Sequence, residues 1–116
     1  MSRVLVVDDE RSLRDTIRDY LTIKGNDVIT ASDGEEGLKF YEKDNNGLKV
    51  LTDVDMPRMN GFELLKEIRE INPDAYVIVM SGNDENGEII KYGASGFIKK
   101  PFEFRDLEKL INGYEE

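Results

Sequence analysis

Val4-Leu5-Val6-Val7-Asp8-Asp9 decides how this chain folds and where its chemistry sits. Four aliphatic residues without polar alternation suit a strand covered on both faces. The run then stops on two carboxylates. Val50-Leu51-Thr52-Asp53 repeats the arrangement further along. In a parallel sheet both runs point the same way, so Asp8, Asp9 and Asp53 arrive together at the C-terminal edge, where open α/β sheets bind ligands. Carboxylates gathered this closely repel one another, and at neutral pH a cation must hold them. A divalent metal is the expected partner, and one carboxylate then becomes a candidate nucleophile.

Working outward, apolar runs alternate with amphipathic stretches along the whole chain. Strands are expected over Arg3–Val7, Asp27–Ala31, Lys49–Asp53, Tyr76–Ser81 and Gly96–Lys99. Between them, Leu13, Ile17, Tyr20, Leu21 and Lys24 follow helical spacing, and Gly25 ends that segment. Ser32 with Glu35, or Asp33 with Glu36, offers a capping box before a helix carrying Leu38 and Tyr41. Asn60 is placed to cap a third helix with Leu64, Leu65, Ile68 and Ile71 on its inner face, and Asn72-Pro73 stops it. A fourth, weak helix over Asp84–Tyr92 has Gly87 in its middle, which costs about 1 kcal/mol relative to alanine. The last helix carries Phe104, Leu107, Leu110, Ile111 and Tyr114. Five β/α units with right-handed crossovers give a doubly wound α/β fold with helices on both faces of a five-stranded parallel sheet. The flavodoxin-like order 2-1-3-4-5 suits it, with a switch point between strands 1 and 3, the two that end in aspartates.

Composition removes several kinds of chemistry. The chain of 116 residues is one domain, residues 1–116, with 39% hydrophobic and 35% charged residues, as expected of a globular unit. It has no cysteine and no histidine, which rules out disulfides, thiolate catalysis and imidazole bases or ligands from this chain. A net charge of −9 argues against direct nucleic-acid binding, which needs a basic face. Ala75–Met80, the longest apolar run, is far shorter than the roughly 20 residues that span a membrane. Met1-Ser2-Arg3 leads straight into a strand, so no signal peptide is expected and the domain reads as cytoplasmic.

Two further groups join the acids. Lys99-Lys100-Pro101 follows the last strand, so one lysine can reach the same edge, although lysines ahead of a helix are more often simply solvated. The X-Pro bond there also permits a cis peptide. Ser81 ends the fourth strand, where a capping hydroxyl is the plainer account, just as an N-cap is for Asp8-Asp9. Each plain account stands on its own. Together they place an acid pair, an acid, a hydroxyl and a lysine at the ends of strands 1, 3, 4 and 5.

Over essentially all its length the chain resembles a two-component response-regulator receiver domain of the chemotaxis-regulator type. The family's acid pair matches Asp8-Asp9 in VLVVDDE, its phosphoacceptor Asp53 in LTDVDMPRMNG, and its Ser/Thr position Ser81 in VIVMSGND. Its aromatic switch matches Phe97 in GASGF and its Lys-Pro pair Lys100-Pro101 in KKPF. The resemblance implies a phosphorelay protein that takes a phosphoryl group onto Asp53 from a sensor histidine kinase or histidine phosphotransfer protein. It implies Mg²⁺, with Mn²⁺ as the alternative, on Asp8, Asp9, Asp53 and the carbonyl of Asp55. Ser81 and Phe97 would switch, Asp55 and Asn83 would tune the phosphoryl lifetime, and the fourth-helix and fifth-strand face would report the change. Arg11, Arg14 and Arg18 on the exposed side of the first helix, with Phe102, form the expected docking surface for the partner, set against ordinary solvated arginines. Ser81 to Phe97 is shorter than in typical members by roughly one helical turn of 3.6 residues.

Three other readings compete. Asp53-Val54-Asp55 matches the Asp-x-Asp core of haloacid-dehalogenase-type phosphatases, but Pro57 stands where that motif wants Thr or Val and the chain is too short for that fold. An inert interaction module with the same fold would lack an acid or the lysine, and none is missing. Asn83-Asp84-Glu85-Asn86-Gly87 hints at a calcium loop without the full twelve-residue ligand spacing.

Overall fold

The computed structural model describes residues 2–83 and 87–113. Asp84, Glu85 and Asn86, at the start of the expected fourth helix and inside the calcium-loop reading, and Tyr114 of the last helix lie outside the described residues.

Five strands, β1 (Arg3–Val7), β2 (Asp27–Ala31), β3 (Leu48–Asp53), β4 (Val77–Ser81) and β5 (Gly96–Lys99), alternate with five helices. These are α1 (Arg11–Ile23), α2 (Gly34–Lys43), α3 (Gly61–Ile71), α4 (Glu88–Lys91) and α5 (Phe104–Asn112). The strands form one parallel sheet in the order β2-β1-β3-β4-β5. This is the flavodoxin-like arrangement, with its switch point between β1 and β3.

Period-two alternation sorts the core into two layers. Leu5, Val7, Val50, Val77 and Val79 face one way, onto Tyr41 of α2, Leu64, Leu65 and Ile68 of α3, and Ile89 of α4. Val4, Val6, Leu51, Ile78 and Met80 face the other, onto Ile17 and Leu21 of α1 and Leu107 and Ile111 of α5. A fully buried Leu, Ile or Val contributes about 1.5–3 kcal/mol, so these two layers dominate the stability of the domain.

Local signals set most helix starts. Asn60 accepts from the Glu63 amide at 2.9 Å while Glu63 Oε1 accepts from the Asn60 amide at 2.9 Å, a complete capping box on α3. Of the two pairs offered for α2, Asp33 with Glu36 is the one that forms, since Asp33 Oδ1 accepts from the Glu36 amide. Glu36 reaches back one residue further than a capping box requires, to the Ser32 amide.

Four expectations are corrected. Ile71 is 42% exposed, because α3 ends there and its last turn has rotated off the inner face. Gly87 precedes α4 in the left-handed region at φ 64°, so it opens the helix instead of interrupting it. Strand limits also move slightly: β3 starts at Leu48 and β4 at Val77, each one residue from its expected start. Among the described residues the fourth helix spans Glu88–Lys91, shorter than the expected Asp84–Tyr92, and Tyr92 is its C-cap.

Candidate functional site at the sheet edge

Strand register, more than loop conformation, assembles the site. Val7 of β1 pairs with Thr52 of β3, which sets Asp8 beside Asp53. Asp53 pairs with Met80, so Ser81 lies one step further along β4, and Ser81 pairs with Lys99, which puts Lys100 next in line. The Lys100 amide continues that pairing by donating to the Ser81 carbonyl at 2.8 Å.

Asp8, Asp9 and Asp53 bring one carboxylate oxygen each within 4.8 Å of one another. Asp8 is fully buried, Asp53 is 9% exposed and Asp9 is open to solvent. The Lys100 ammonium sits between the two buried acids, 3.2 Å from Asp8 Oδ2 and 3.1 Å from Asp53 Oδ1. The capping account of the acid pair does not hold, because α1 starts at Arg11 and Glu10 occupies its N-cap position. Asp8 Oδ1 instead accepts from the Glu10 amide at 2.9 Å, and the Asp8 amide donates to the Ala31 carbonyl of β2 at 3.1 Å.

Burial pushes the Asp53 carboxyl above the ordinary aspartate range; the Lys100 hydrogen bond pulls it down, and the charge on Asp8 pushes it up again. Lys100 shows the opposite balance. Burial pulls its ammonium down, but Asp53 and Asp8 together outweigh burial, so its affinity for the proton is raised. The lysine stays charged and the acids share it.

The donor set fits a small hard cation. It consists of carboxylate oxygens from two buried acids and one exposed one, the ligand type that Mg²⁺ takes alongside retained waters. Soft-ligand metals have no thiolate or imidazole to bind here.

The remaining candidate residues are distributed around this centre. Ser81 is buried, and its hydroxyl donates to the Asn83 carbonyl at 2.9 Å and accepts from the Asn83 amide at 3.2 Å. Phe97, opposite Val79 in the sheet, is half-buried against the α2–α3–α4 layer. Asp55 is exposed in the loop after β3. The Lys100-Pro101 bond is cis. Phe102 is half-buried, packs edge-on against Phe104 with centroids 5.7 Å apart, and lines an apolar groove with Leu13, Pro101 and the Lys100 stem.

The three arginines of α1 do not form one solvated face. Arg11 is exposed, near Asp15 at 3.6 Å, but Arg18 is engaged with Asp15 and Asp19. Arg14 turns inward and donates to the Asp8 carbonyl at 2.8 Å, an anchoring contact with no mark in the sequence beyond its place one turn into α1. Two glycines matter to the site through close backbone approach. A Cβ at Gly61 would lie 2.2 Å from the Asp53 carbonyl oxygen, and one at Gly34 would lie 2.4 Å from that of Met59. Asn60-Gly61 and Asp33-Gly34 were available as signals of close backbone approach.

A 2-1-3-4-5 sheet whose ligand edge carries three acids and a lysine defines the class: a doubly wound, flavodoxin-like α/β domain with an acidic switch-point site. The response regulator receiver domain family matches residues 4–112. Among curated relatives, the chemotaxis protein CheY of Thermotoga maritima is 39% identical over 114 residues, covering 95% of this chain and 94% of that protein. The probable transcriptional regulator ycf27 of Porphyridium aerugineum is 35% identical over 111 residues, or 94% of this chain. This chain spans 46% of that regulator's length. The CheX–CheY–BeF3–Mg²⁺ complex from Borrelia burgdorferi superposes with a TM-score of 0.88 at 30% identity, over 95% of this chain and 86% of that one. The chain belongs to the response regulator receiver domain family, signalling proteins whose general function is that of a phosphoacceptor switch in two-component systems.

Proposed function

We propose that Asp53 accepts a phosphoryl group, in a Mg²⁺-dependent step, from the phosphohistidine of a sensor histidine kinase or histidine phosphotransfer protein. The observation that carries this reading is the Lys100 ammonium bridging Asp8 and Asp53 at 3.2 and 3.1 Å inside the acid cluster. A nucleophilic carboxylate is thereby paired with a fixed positive charge at the place where phosphoryl charge develops. Positioning and electrostatics supply most of the catalysis in such transfers.

In the step, an Asp53 oxygen forms a bond to phosphorus as the partner's N–P bond breaks, and the displaced imidazole takes up a proton. The product is an acyl phosphate. Lys100 turns from the carboxylates to a phosphoryl oxygen, and the Ser81 hydroxyl exchanges its Asn83 carbonyl for another. Asp8, Asp9, Asp53 and the Asp55 carbonyl would hold the Mg²⁺, which when bound neutralises charge on the transferred group. The chain holds no histidine, so the donor must come from outside.

Readout follows from the added charge. A phosphoryl group brings about −1.5 to −2 charges and three acceptor oxygens. When Ser81 leaves Asn83, the half-buried Phe97 ring has room to move inward, and the α4–β5 face changes with it. Asp55 and Asn83, each two residues beyond a site residue and each exposed, tune access of hydrolytic water. Docking of the partner centres on Phe102 and Arg11, with Arg18 at the margin. Arg14 supports the site from within through the Asp8 carbonyl.

Beryllofluoride with Mg²⁺ tests the reading. A ligand that binds only the folded state raises its melting temperature. The wild type is expected to gain thermal stability with both additives present, and Asp53→Ala to gain none from beryllofluoride. Equal shifts in both proteins would remove Asp53 from the role.

A further inference from the structure

The loop between β3 and α3 is closed at its base, where the Gly61 amide donates to the Val54 carbonyl at 2.9 Å. At its tip, the Met59 amide donates to the Pro57 carbonyl at 2.8 Å, and Arg58 between them stands in the left-handed region at φ 67°. Arg58 is the only non-glycine residue with positive φ among the described residues. Residues with a Cβ enter that region at a cost. Something must offset it, and the Arg58 guanidinium reaches across to Asp33 Oδ2, with Glu35 a further 3.6 Å partner.

Asp33 is 5% exposed and uses both oxygens: Oδ1 caps α2 through the Glu36 amide and Oδ2 takes Arg58. A buried carboxylate of this kind depends on its partners for its charge. The Met59 carbonyl packs so closely on the α2 start that only glycine fits at position 34. The end of β2, two residues before Asp33, holds the other acid loop, since the Ala31 carbonyl accepts from the Asp8 amide. The end of β2 and the turn that follows it thus brace the two segments that carry the acids.

We infer that the Asp33–Arg58 ion pair fixes the loop carrying Asp55 over the sheet edge, and that Arg58 is a positioning residue for cation binding at the Asp8–Asp9–Asp53 cluster. The inference rests on the Mg²⁺ reading of that cluster.

Mg²⁺ titration of the whole chain by calorimetry, beside a thermal melt of each variant, tests it. Arg58→Gly relieves the backbone while deleting the ion pair, Arg58→Ala deletes the pair without that relief, and Arg58→Lys keeps a cation. Both deletions are expected to weaken Mg²⁺ binding by about threefold or more, the ratio that an ion pair of this exposure supplies. Arg58→Lys is expected to recover most of the affinity, although its fold is as strained as that of Arg58→Ala. Wild-type affinity in Arg58→Gly overturns the inference, as does a fall in melting temperature of the variants with no change in Mg²⁺ affinity. Failure of the wild type itself to bind Mg²⁺ overturns the underlying reading instead, so the two failures are separable.

Discussion

Asp53 and Asp33 are both buried aspartates, yet their surroundings drive their protonation in opposite directions. Burial pushes Asp53 up, and Lys100 does not fully compensate with Asp8 so close. The folded state therefore keeps the Asp53 proton to higher pH than the unfolded chain does. The stability this group contributes is present below its unfolded value and is lost as pH rises through its folded one. At neutral pH without divalent cation Asp53 is a cost to the fold, so Asp53→Asn is expected to melt higher than wild type. The gap should shrink as pH falls toward the ordinary carboxyl range, and melting curves across pH in EDTA measure it. For Asp33 the Arg58 hydrogen bond, and then that of the Glu36 amide, hold the carboxyl below its ordinary value. Its contribution is present above the unfolded value and is lost as pH falls through the depressed folded one. Arg58→Ala is thus expected to begin acid unfolding at higher pH than wild type, and an unchanged acid limb would contradict the pairing.

At the scale of elements, the third helix is anchored most completely and the fourth least. Asn60→Ala opens the capping box on α3 and is expected to cost about 1 kcal/mol in denaturant melts. Gly61→Ala is expected to cost more, because its Cβ meets the Asp53 carbonyl oxygen at 2.2 Å and the strand end must shift. That variant should lose phosphoryl acceptance along with stability. With four residues, α4 cannot hold itself in water. It is buried through Ile89 and tied to α3 by Arg69, whose guanidinium donates to the Gly93 carbonyl at 2.8 Å and the Ser95 hydroxyl at 3.1 Å. Arg69→Ala is expected to speed amide exchange in residues 88–95 while leaving β1 and β3 unchanged. Equal protection in the variant would show that packing alone holds the helix. Propensity makes this segment visible as weak, but periodicity does not distinguish a glycine inside a helix from a left-handed one just ahead of it, as Gly87 is. The Arg69 tether lies outside any local pattern, since its partners are 24 and 26 residues away.

At the scale of the whole molecule, the sheet order and the convergence of Asp8, Asp53, Ser81 and Lys100 were legible because both depend on one property: where apolar runs stop. Parallel register converts four strand ends into one edge, and the residue following each run is then fixed in place. Side-chain traffic between loops was not legible. Arg14 on the Asp8 carbonyl and Arg58 on Asp33 are charged residues in polar surroundings, and sequence spacing offers no reason to aim them inward. Ile71 failed for a related reason, since helical phase identifies a face but not the turn at which the core ends. The net charge of −9 adds a general bias toward cations, which the three acids focus at one edge. The central claim is that Asp53 becomes phosphorylated in that field. Intact-mass spectrometry after incubation with acetyl phosphate and Mg²⁺, comparing wild type with Asp53→Asn, tests it most directly. One added phosphoryl group on the wild type and none on the variant is the predicted result. No addition to a wild type that demonstrably binds Mg²⁺, or equal addition to both proteins, would contradict it.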